Sequence, residues 1–180
     1  MRRLIIWAGL LTVPTVPNAA QHAPESKYAK DPRLSRLTQF LERAHSPIKH
    51  LAVDFLVAAD LHSLDWRLLP SISVIETGAG RTAEHNNIFG WDSGRKAFAS
   101  ARDGIYHVAS RLGNSKMYQN KDLNHVLATY NPVVPEYPDM VESVMRQLDA
   151  SPPLDARLPV QARLNPSFAL RRTARQALAQ

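Results

Sequence analysis

The sequence contains no cysteine among its 180 residues. Disulfide frameworks, thiolate metal sites and cysteine nucleophiles are therefore excluded. It also lacks an HExxH zinc pair, a lysine-bearing glycine loop for a nucleotide, and a Gly-x-Ser-x-Gly nucleophile elbow. Seven histidines are present, but they are scattered over different predicted elements. We therefore expect neither a metal nor any other cofactor.

The chain also has few long hydrophobic runs. Residues 4–13 form an apolar stretch that follows Arg2-Arg3 and precedes small residues near Ala19. This order is typical of a secretory signal, so we predict a signal over residues 1–23 and an exported protein, periplasmic or extracellular. As a helix the stretch would be about 15 Å long, half the thickness of a bilayer core, which argues against a membrane anchor. The alternative is a cytoplasmic protein with an apolar start.

Acidic residues are fewer than basic residues. Lysine and arginine number 22 against 16 aspartates and glutamates, which gives a formal net charge of +6 and a pI near 9.9. The excess lies at the two ends, in Arg2, Arg3 and the arginines of residues 151–180, so that residues 4–150 are neutral overall. A nucleic-acid-binding domain is basic on its own folded surface. We therefore expect no nucleic-acid partner.

The C-terminal segment, residues 150–180, is rich in proline and then in arginine. This composition predicts a flexible, solvated tail. The alternative is a weak tether to anionic lipid or wall polymer, because each basic side chain near such a surface contributes about 1 kcal/mol.

Between these ends the apolar residues recur at three- and four-residue spacing, which predicts a mainly α-helical domain over residues 31–149. The pattern breaks from Gly80 to Ser100, where turn-forming residues predict one irregular lobe or a short β-hairpin. Six helices are expected. The first begins near Pro32, the second has Ser46 as its N-cap and Pro47 as its first residue, and the third runs from Asp65 to Gly78. The fourth ends at Gly113-Asn114, the fifth ends at Asn131-Pro132, and the sixth covers Val141 to Leu148.

Glu76 is the residue that fits the helical pattern least. It follows Leu69 by seven residues and Ile72 by four, so it belongs on or beside the buried face of the third helix. It also lies in the last turn before Gly78, where the helix dipole disfavours a carboxylate by about 0.3–1 kcal/mol. Both features favour the protonated form, which a general acid requires. The structural alternative is a glutamate that reaches solvent or pairs with Arg81.

Amide and aromatic side chains follow Glu76 closely. Sugars present hydroxyl and acetamido edges beside apolar ring faces, and this mixture of side chains suits both. Phe89 and Trp91 can alternatively form a small core, and Tyr130 can be a core tyrosine whose hydroxyl bonds to backbone. The residues expected to bind a saccharide are Asn86, Asn87, Phe89, Trp91 and Asn131, the last reaching the cleft together with Tyr130.

Five short motifs succeed one another between Asp54 and Leu148, roughly half of the chain. They are Leu64-Asp65 with Leu68-Leu69-Pro70, Ser73 to Gly80, Asn86 to Trp91, Arg102 to Ile105, and Ala128 to Pro132. In this order and spacing they resemble the glucosaminidase family of peptidoglycan hydrolases, within the lysozyme-like superfamily. Thr77 stands where serine is commoner in that family.

The resemblance implies a lysozyme-like helical fold and an enzyme that cleaves β-1,4 glycosidic bonds beside N-acetylated sugars in peptidoglycan strands. We expect the protein to be a monomer. Glu76 would be the general acid that protonates the leaving oxygen. Tyr130 would line the cleft and help to stabilise the charged transition state. A wall-binding or scaffold module on the same fold, without activity, is the alternative from another class. A third possibility is an enzyme for host or dietary N-acetylglucosamine glycans.

The sequence does not identify a second catalytic carboxylate, although glycosidases usually employ two. If the site contains no second carboxylate, two mechanisms become more plausible: catalysis by the acetamido group of the substrate, or a transglycosylase route through an anhydro-sugar. The candidates by sequence neighbourhood are Glu84, Asp92, Glu136 and Asp139.

Overall fold

The computed structural model describes residues 27–150, so the predicted signal and the tail beyond residue 150 lie outside the described residues. Within that range the protein is mainly α-helical, as the apolar spacing predicts. No helix there has both the length and the apolar character needed to cross a membrane. The helices are α1 (Pro32–Arg43), α2 (Ala52–Leu61, preceded by a 3₁₀ turn at Lys49–Leu51), α3 (Leu68–Thr77), α4 (Ala101–Asn114), α5 (Leu123–Tyr130) and α6 (Tyr137–Asp149).

Local capping signals set several helix ends as predicted. Asp31 caps α1 by accepting the Arg33 amide at 2.9 Å, and Pro32 occupies the first helical position. Gly78 ends α3 in the left-handed region at φ 61°, a conformation that glycine adopts without a steric penalty. Asn131 follows the last residue of α5, as its predicted stop signal requires.

Two predicted helix starts are wrong. The hydroxyl of Ser46 donates to the carbonyl of Ala79 at 2.8 Å, so Ser46 joins two distant segments and α2 begins several residues later. Asp65 accepts the Arg67 amide at 2.9 Å and holds the turn that precedes α3. In both cases a typical capping residue stabilises a turn near the helix rather than its first residue.

Helix α3 forms the centre of the core, because all ten of its residues are buried. It packs against α6 on one side and α2 on another, while α2 also packs against α1 and α4. Side chains such as Leu69, Ile72 and Val74 are inaccessible to solvent, and burying each contributes about 1.5–3 kcal/mol. This packing fixes the C-terminal end of α3, where Glu76 lies.

Residues 79–100 form the irregular lobe, which contains no strand. The predicted β-hairpin is therefore wrong, and the predicted irregular lobe is confirmed. Its backbone turns repeatedly through left-handed conformations, at Asn86, Asp92 and Ser93 among others, and a continuous pair of strands cannot accommodate these. One backbone bond, from the Phe98 amide to the His85 carbonyl at 3.0 Å, ties the two ends of the lobe together.

Candidate active site

Glu76 lies at the C-terminal end of α3 with only 4% of its surface exposed. Its side chain therefore does not extend into solvent. The Oε1 atom accepts a hydrogen bond from the Tyr137 hydroxyl at 2.9 Å. A carboxyl in this position is largely shielded from bulk water and has a fixed hydrogen-bond donor.

Tyr137 is a residue beside the site that sequence analysis missed. It is the first residue of α6, is fully buried, and stacks on Tyr130 with ring centroids 5.9 Å apart and an angle of 11° between the planes. The available signal was its position four residues before Val141, on the buried stripe of α6. That spacing predicts a core residue, but it does not predict the contact with Glu76.

Glu76 borders a cleft of about 540 Å³, within the size range of small-molecule binding sites. The cleft lies between the end of α3, the irregular lobe, α4 and the segment that joins α5 to α6. Its lining consists of Glu76, then Gly90, Trp91, Asp92, Ser93 and Lys96 from the lobe, His107 from α4, and Tyr118, Tyr130, Asn131, Pro132 and Val133 from later segments.

An aromatic wall formed by Trp91 and Tyr130 stands on one side of the cleft. Their ring centroids are 5.7 Å apart at 60°, and the indole also meets the His107 ring edge-on at 5.8 Å. The Tyr130 hydroxyl donates to the Phe89 carbonyl at 2.7 Å. Tyr130 therefore lines the cleft, and its hydroxyl also has a backbone partner, as the alternative of a core tyrosine expects.

Asn131 supplies a buried amide to the cleft lining, with 5% of the residue exposed. Its Oδ1 accepts the Val133 amide at 3.3 Å, which fixes the orientation of the side chain. Its Nδ2 has no hydrogen-bond partner among the described residues. Because an unsatisfied buried donor costs about 1–3 kcal/mol, a ligand oxygen that accepts from Nδ2 would stabilise the site.

The other three predicted saccharide-binding residues do not line the cleft. Asn86 is exposed and donates to the Phe98 carbonyl at 3.0 Å. Asn87 is buried and bonds to both the amide and the carbonyl of Trp91, each at 2.9 Å. Phe89 is a core residue that packs edge-on against Phe55. These side chains act indirectly, by shaping the lobe that carries Trp91.

Of the four candidate second carboxylates, only Asp92 lines the cleft. It is exposed, and its Oδ1 lies 2.5 Å from the Arg95 guanidinium. Glu84, Glu136 and Asp139 are exposed at other positions of the described surface. Glu76 is therefore the one buried carboxylate that borders the cleft within residues 27–150.

Lys96 and His107 also border the cleft, and sequence analysis did not identify either as a site residue. Burial lowers the pKa of His107 below its ordinary value, and the positive charges of Lys96 and Arg111 lower it further. The imidazole is therefore neutral near pH 7, with one ring nitrogen as a donor and the other as an acceptor.

Comparison with known proteins identifies no family. No family model, curated protein or solved structure matches the chain significantly. In the part of the chain that the structure describes, no three acidic or histidine side chains come together as a metal site would need. What the cleft can do therefore follows from the chemistry of the side chains that line it.

Proposed function

We propose that the protein is an exported glycosidase that cleaves β-1,4 bonds beside N-acetylated sugars in peptidoglycan, on a lysozyme-like helical fold. The observation that carries the proposal is a carboxylic acid, Glu76, buried at the end of a fully buried helix and bordering a cleft of about 540 Å³. The resemblance of the motifs around it to the glucosaminidase family supports the same function.

Glu76 acts as the general acid in this proposal. Burial and the negative end of the α3 dipole both favour its protonated form before reaction. The Tyr137 hydroxyl, 2.9 Å from Oε1, holds the carboxyl in place and stabilises the carboxylate that remains after the proton moves to the leaving oxygen. Tyr137 is thus a positioning residue for the acid.

The sugar binds against the aromatic wall and the buried amide. The indole of Trp91 and the ring of Tyr130 offer apolar faces to a pyranose ring. The unpartnered Nδ2 of Asn131 donates to a hydroxyl or acetamido oxygen. The Tyr130 hydroxyl is fixed at the cleft by its bond to the Phe89 carbonyl, and in this proposal the side chain helps to stabilise the positive charge that develops at the anomeric carbon.

The reaction proceeds without a second buried carboxylate in this proposal. As the leaving oxygen takes the proton of Glu76, the bond from C1 to that oxygen breaks. The acetamido oxygen of the substrate then bonds to C1. Water later attacks C1, the bond from C1 to the acetamido oxygen breaks, and the proton lost by the water returns to Glu76. In the transglycosylase variant, the C6 hydroxyl bonds to C1 and returns its proton to Glu76, which leaves an anhydro-sugar. Asp92, exposed and paired with Arg95, is a weak candidate for the nucleophile.

The same pairing of Asp92 with Arg95 favours the second candidate function, a peptidoglycan-binding module that does not cut. Such a module would retain the aromatic wall and the Asn131 amide but would lack a complete catalytic pair. It predicts sedimentation with insoluble peptidoglycan and no release of fragments under any condition.

The variant Glu76→Gln tests the assignment of the acid. We expect release of soluble fragments from purified sacculi to fall by about 10²–10⁴-fold, the contribution of a positioned general acid. The thermal midpoint should stay close to that of the wild type, because the amide oxygen can still accept from Tyr137. Asp92→Asn is the control and should reduce the rate little. Unchanged activity in Glu76→Gln would refute the assignment.

A further inference from the structure

Lys96 brings a positive charge to the lining of the cleft. Lys96 borders the cleft and forms no ion pair with any residue between 27 and 150. Its ammonium lies 5.8 Å from the centroid of the Phe98 ring, which packs in turn against His107 at 5.3 Å. The lysine and the imidazole thus border the same cleft, with the Phe98 ring in contact with both.

The two acids that border the cleft have other partners. Glu76 accepts a hydrogen bond from the Tyr137 hydroxyl at 2.9 Å, and Asp92 pairs with Arg95 at 2.5 Å. Burial first, and then the charges of Lys96 and Arg111, lower the pKa of His107, so its ring is neutral near pH 7 and can donate from one nitrogen. An anion placed between Lys96 and His107 would meet one ammonium and one ring donor.

We propose that Lys96 and His107 form an anion subsite that takes a carboxylate of the glycan strand. The inference rests on the proposed function and deepens it, because it makes the enzyme selective for carboxylated N-acetylated glycans over neutral ones of the same backbone. In peptidoglycan the carboxylate comes either from the lactyl group on the sugar or from the peptide attached to it. Both sources present the same chemistry to Lys96.

Binding measurements in the Glu76→Gln background test this subsite with intact ligands. The probes are peptide-free glycan strands with free lactyl carboxylates, the same strands after amidation of those carboxylates, and peptide-bearing strands. We expect Lys96→Gln to weaken binding of the peptide-free strands by about fivefold, the upper range for an exposed ion pair. The amidated strands should bind both proteins equally, and raised salt should narrow the difference for carboxylated strands.

The source of the carboxylate follows from which strands respond to Lys96→Gln. A response with the peptide-free strands identifies the lactyl group, and one limited to peptide-bearing strands identifies the peptide; either supports an anion subsite. Lys96→Arg retains the charge and should retain the affinity. His107→Phe keeps the ring contacts but removes the donor, and should give a smaller loss of the same selectivity.

Lys30→Gln is the matched control, because Lys30 is exposed, does not border the cleft and carries the same charge. Equal losses in Lys96→Gln and Lys30→Gln, or equal losses for carboxylated and amidated strands, would overturn the subsite. Its failure remains distinct from failure of the glycosidase proposal. If the protein never cleaves the strands but binds them in a way that depends on Lys96, the glycosidase proposal is refuted and the anion subsite is retained.

Discussion

Helix α3 and the irregular lobe border the same cleft but are built in opposite ways. Every residue of α3 is buried, and its regular spacing places Glu76 at the end of a helix surrounded by core. The lobe is half-exposed, turns through left-handed conformations, and presents Trp91 and Lys96. The acid therefore lies on a completely buried helix, while Trp91 and Lys96, which would contact a ligand in the proposed function, lie on a segment without regular secondary structure.

The largest expected effect tests the packing of α3. Ile72→Ala removes a fully buried side chain and should lower the free energy of unfolding by about 2–5 kcal/mol, measured by denaturant titration. Leu61→Ala is the control, since that side chain is 66% exposed and its loss should change stability by less than about 0.5 kcal/mol. Similar values for the two variants would mean that α3 is not the centre of the core.

The next effect concerns the contact that joins α3 to α6. Tyr137→Phe keeps the ring but removes the hydroxyl that donates to Glu76. In the proposed mechanism this bond becomes one to a charged group when Glu76 gives up its proton, and such a bond contributes about 1.5–3 kcal/mol. The proposed glycosidase activity should fall by about tenfold or more. The alkaline limb of the pH–activity profile should move to higher pH, because the carboxylate loses a donor that stabilises it.

Tyr28→Phe is the matched control for that variant. The Tyr28 hydroxyl donates to Asp60 at 2.8 Å, so the substitution also breaks a bond between a tyrosine and a carboxylate, but far along the chain from Glu76. It should lower stability and leave the pH–activity profile unmoved. An identical profile for Tyr137→Phe and the wild type would show that Tyr137 serves structure only.

A smaller effect tests how the lobe holds Trp91, the part of the aromatic wall that belongs to it. Asn87→Ala removes both bonds to the Trp91 backbone and should cost about 1–3 kcal/mol of stability, with weaker saccharide binding because the indole loses its position. Asn86→Ala removes bonds from an exposed amide and should cost less. Thermal unfolding and saccharide titration check both. Equal losses in the two variants would contradict the clamping role of Asn87.

The smallest effect is a pH dependence at the boundary between α4 and the lobe. The folded protein lowers the pKa of His107 from 6.5, so the unfolded chain binds the proton more readily. Stability is therefore fully present above about pH 6.5 and declines as the pH falls from there through the folded-state pKa. His107→Phe should remove this component from a series of unfolding curves. A series that superimposes on that of the wild type would contradict the shift.

Much of α3 could be predicted from sequence because its determinants are local. The three- and four-residue spacing of Leu69 and Ile72 identified the buried face, and Gly78 identified the end. The unusual position of Glu76 followed from the same two signals. These patterns depend on residues within one or two helical turns, so contacts with distant parts of the chain do not change them.

Contacts between distant segments could not be predicted in the same way. Tyr137 meets Glu76 across 61 residues of chain, and nothing in the spacing of α6 distinguishes it from an ordinary core residue. Ser46 resembles a helix cap but bonds to a carbonyl 33 residues away. Asn87 was expected to contact ligand, and instead it clamps the backbone of Trp91. In each case a hydrogen bond in the folded structure gives the side chain a role that differs from the one predicted by the local sequence pattern.

Mass spectrometry of the soluble products released from purified sacculi tests the central claim most directly. A glycosidase that uses Glu76 must release fragments with a new reducing end, or with an anhydro-sugar if the C6 hydroxyl attacks, and the terminal sugar identifies the bond that is cut. Sacculi that bind the protein but release no fragment across the whole pH range would contradict an enzymatic role for the cleft.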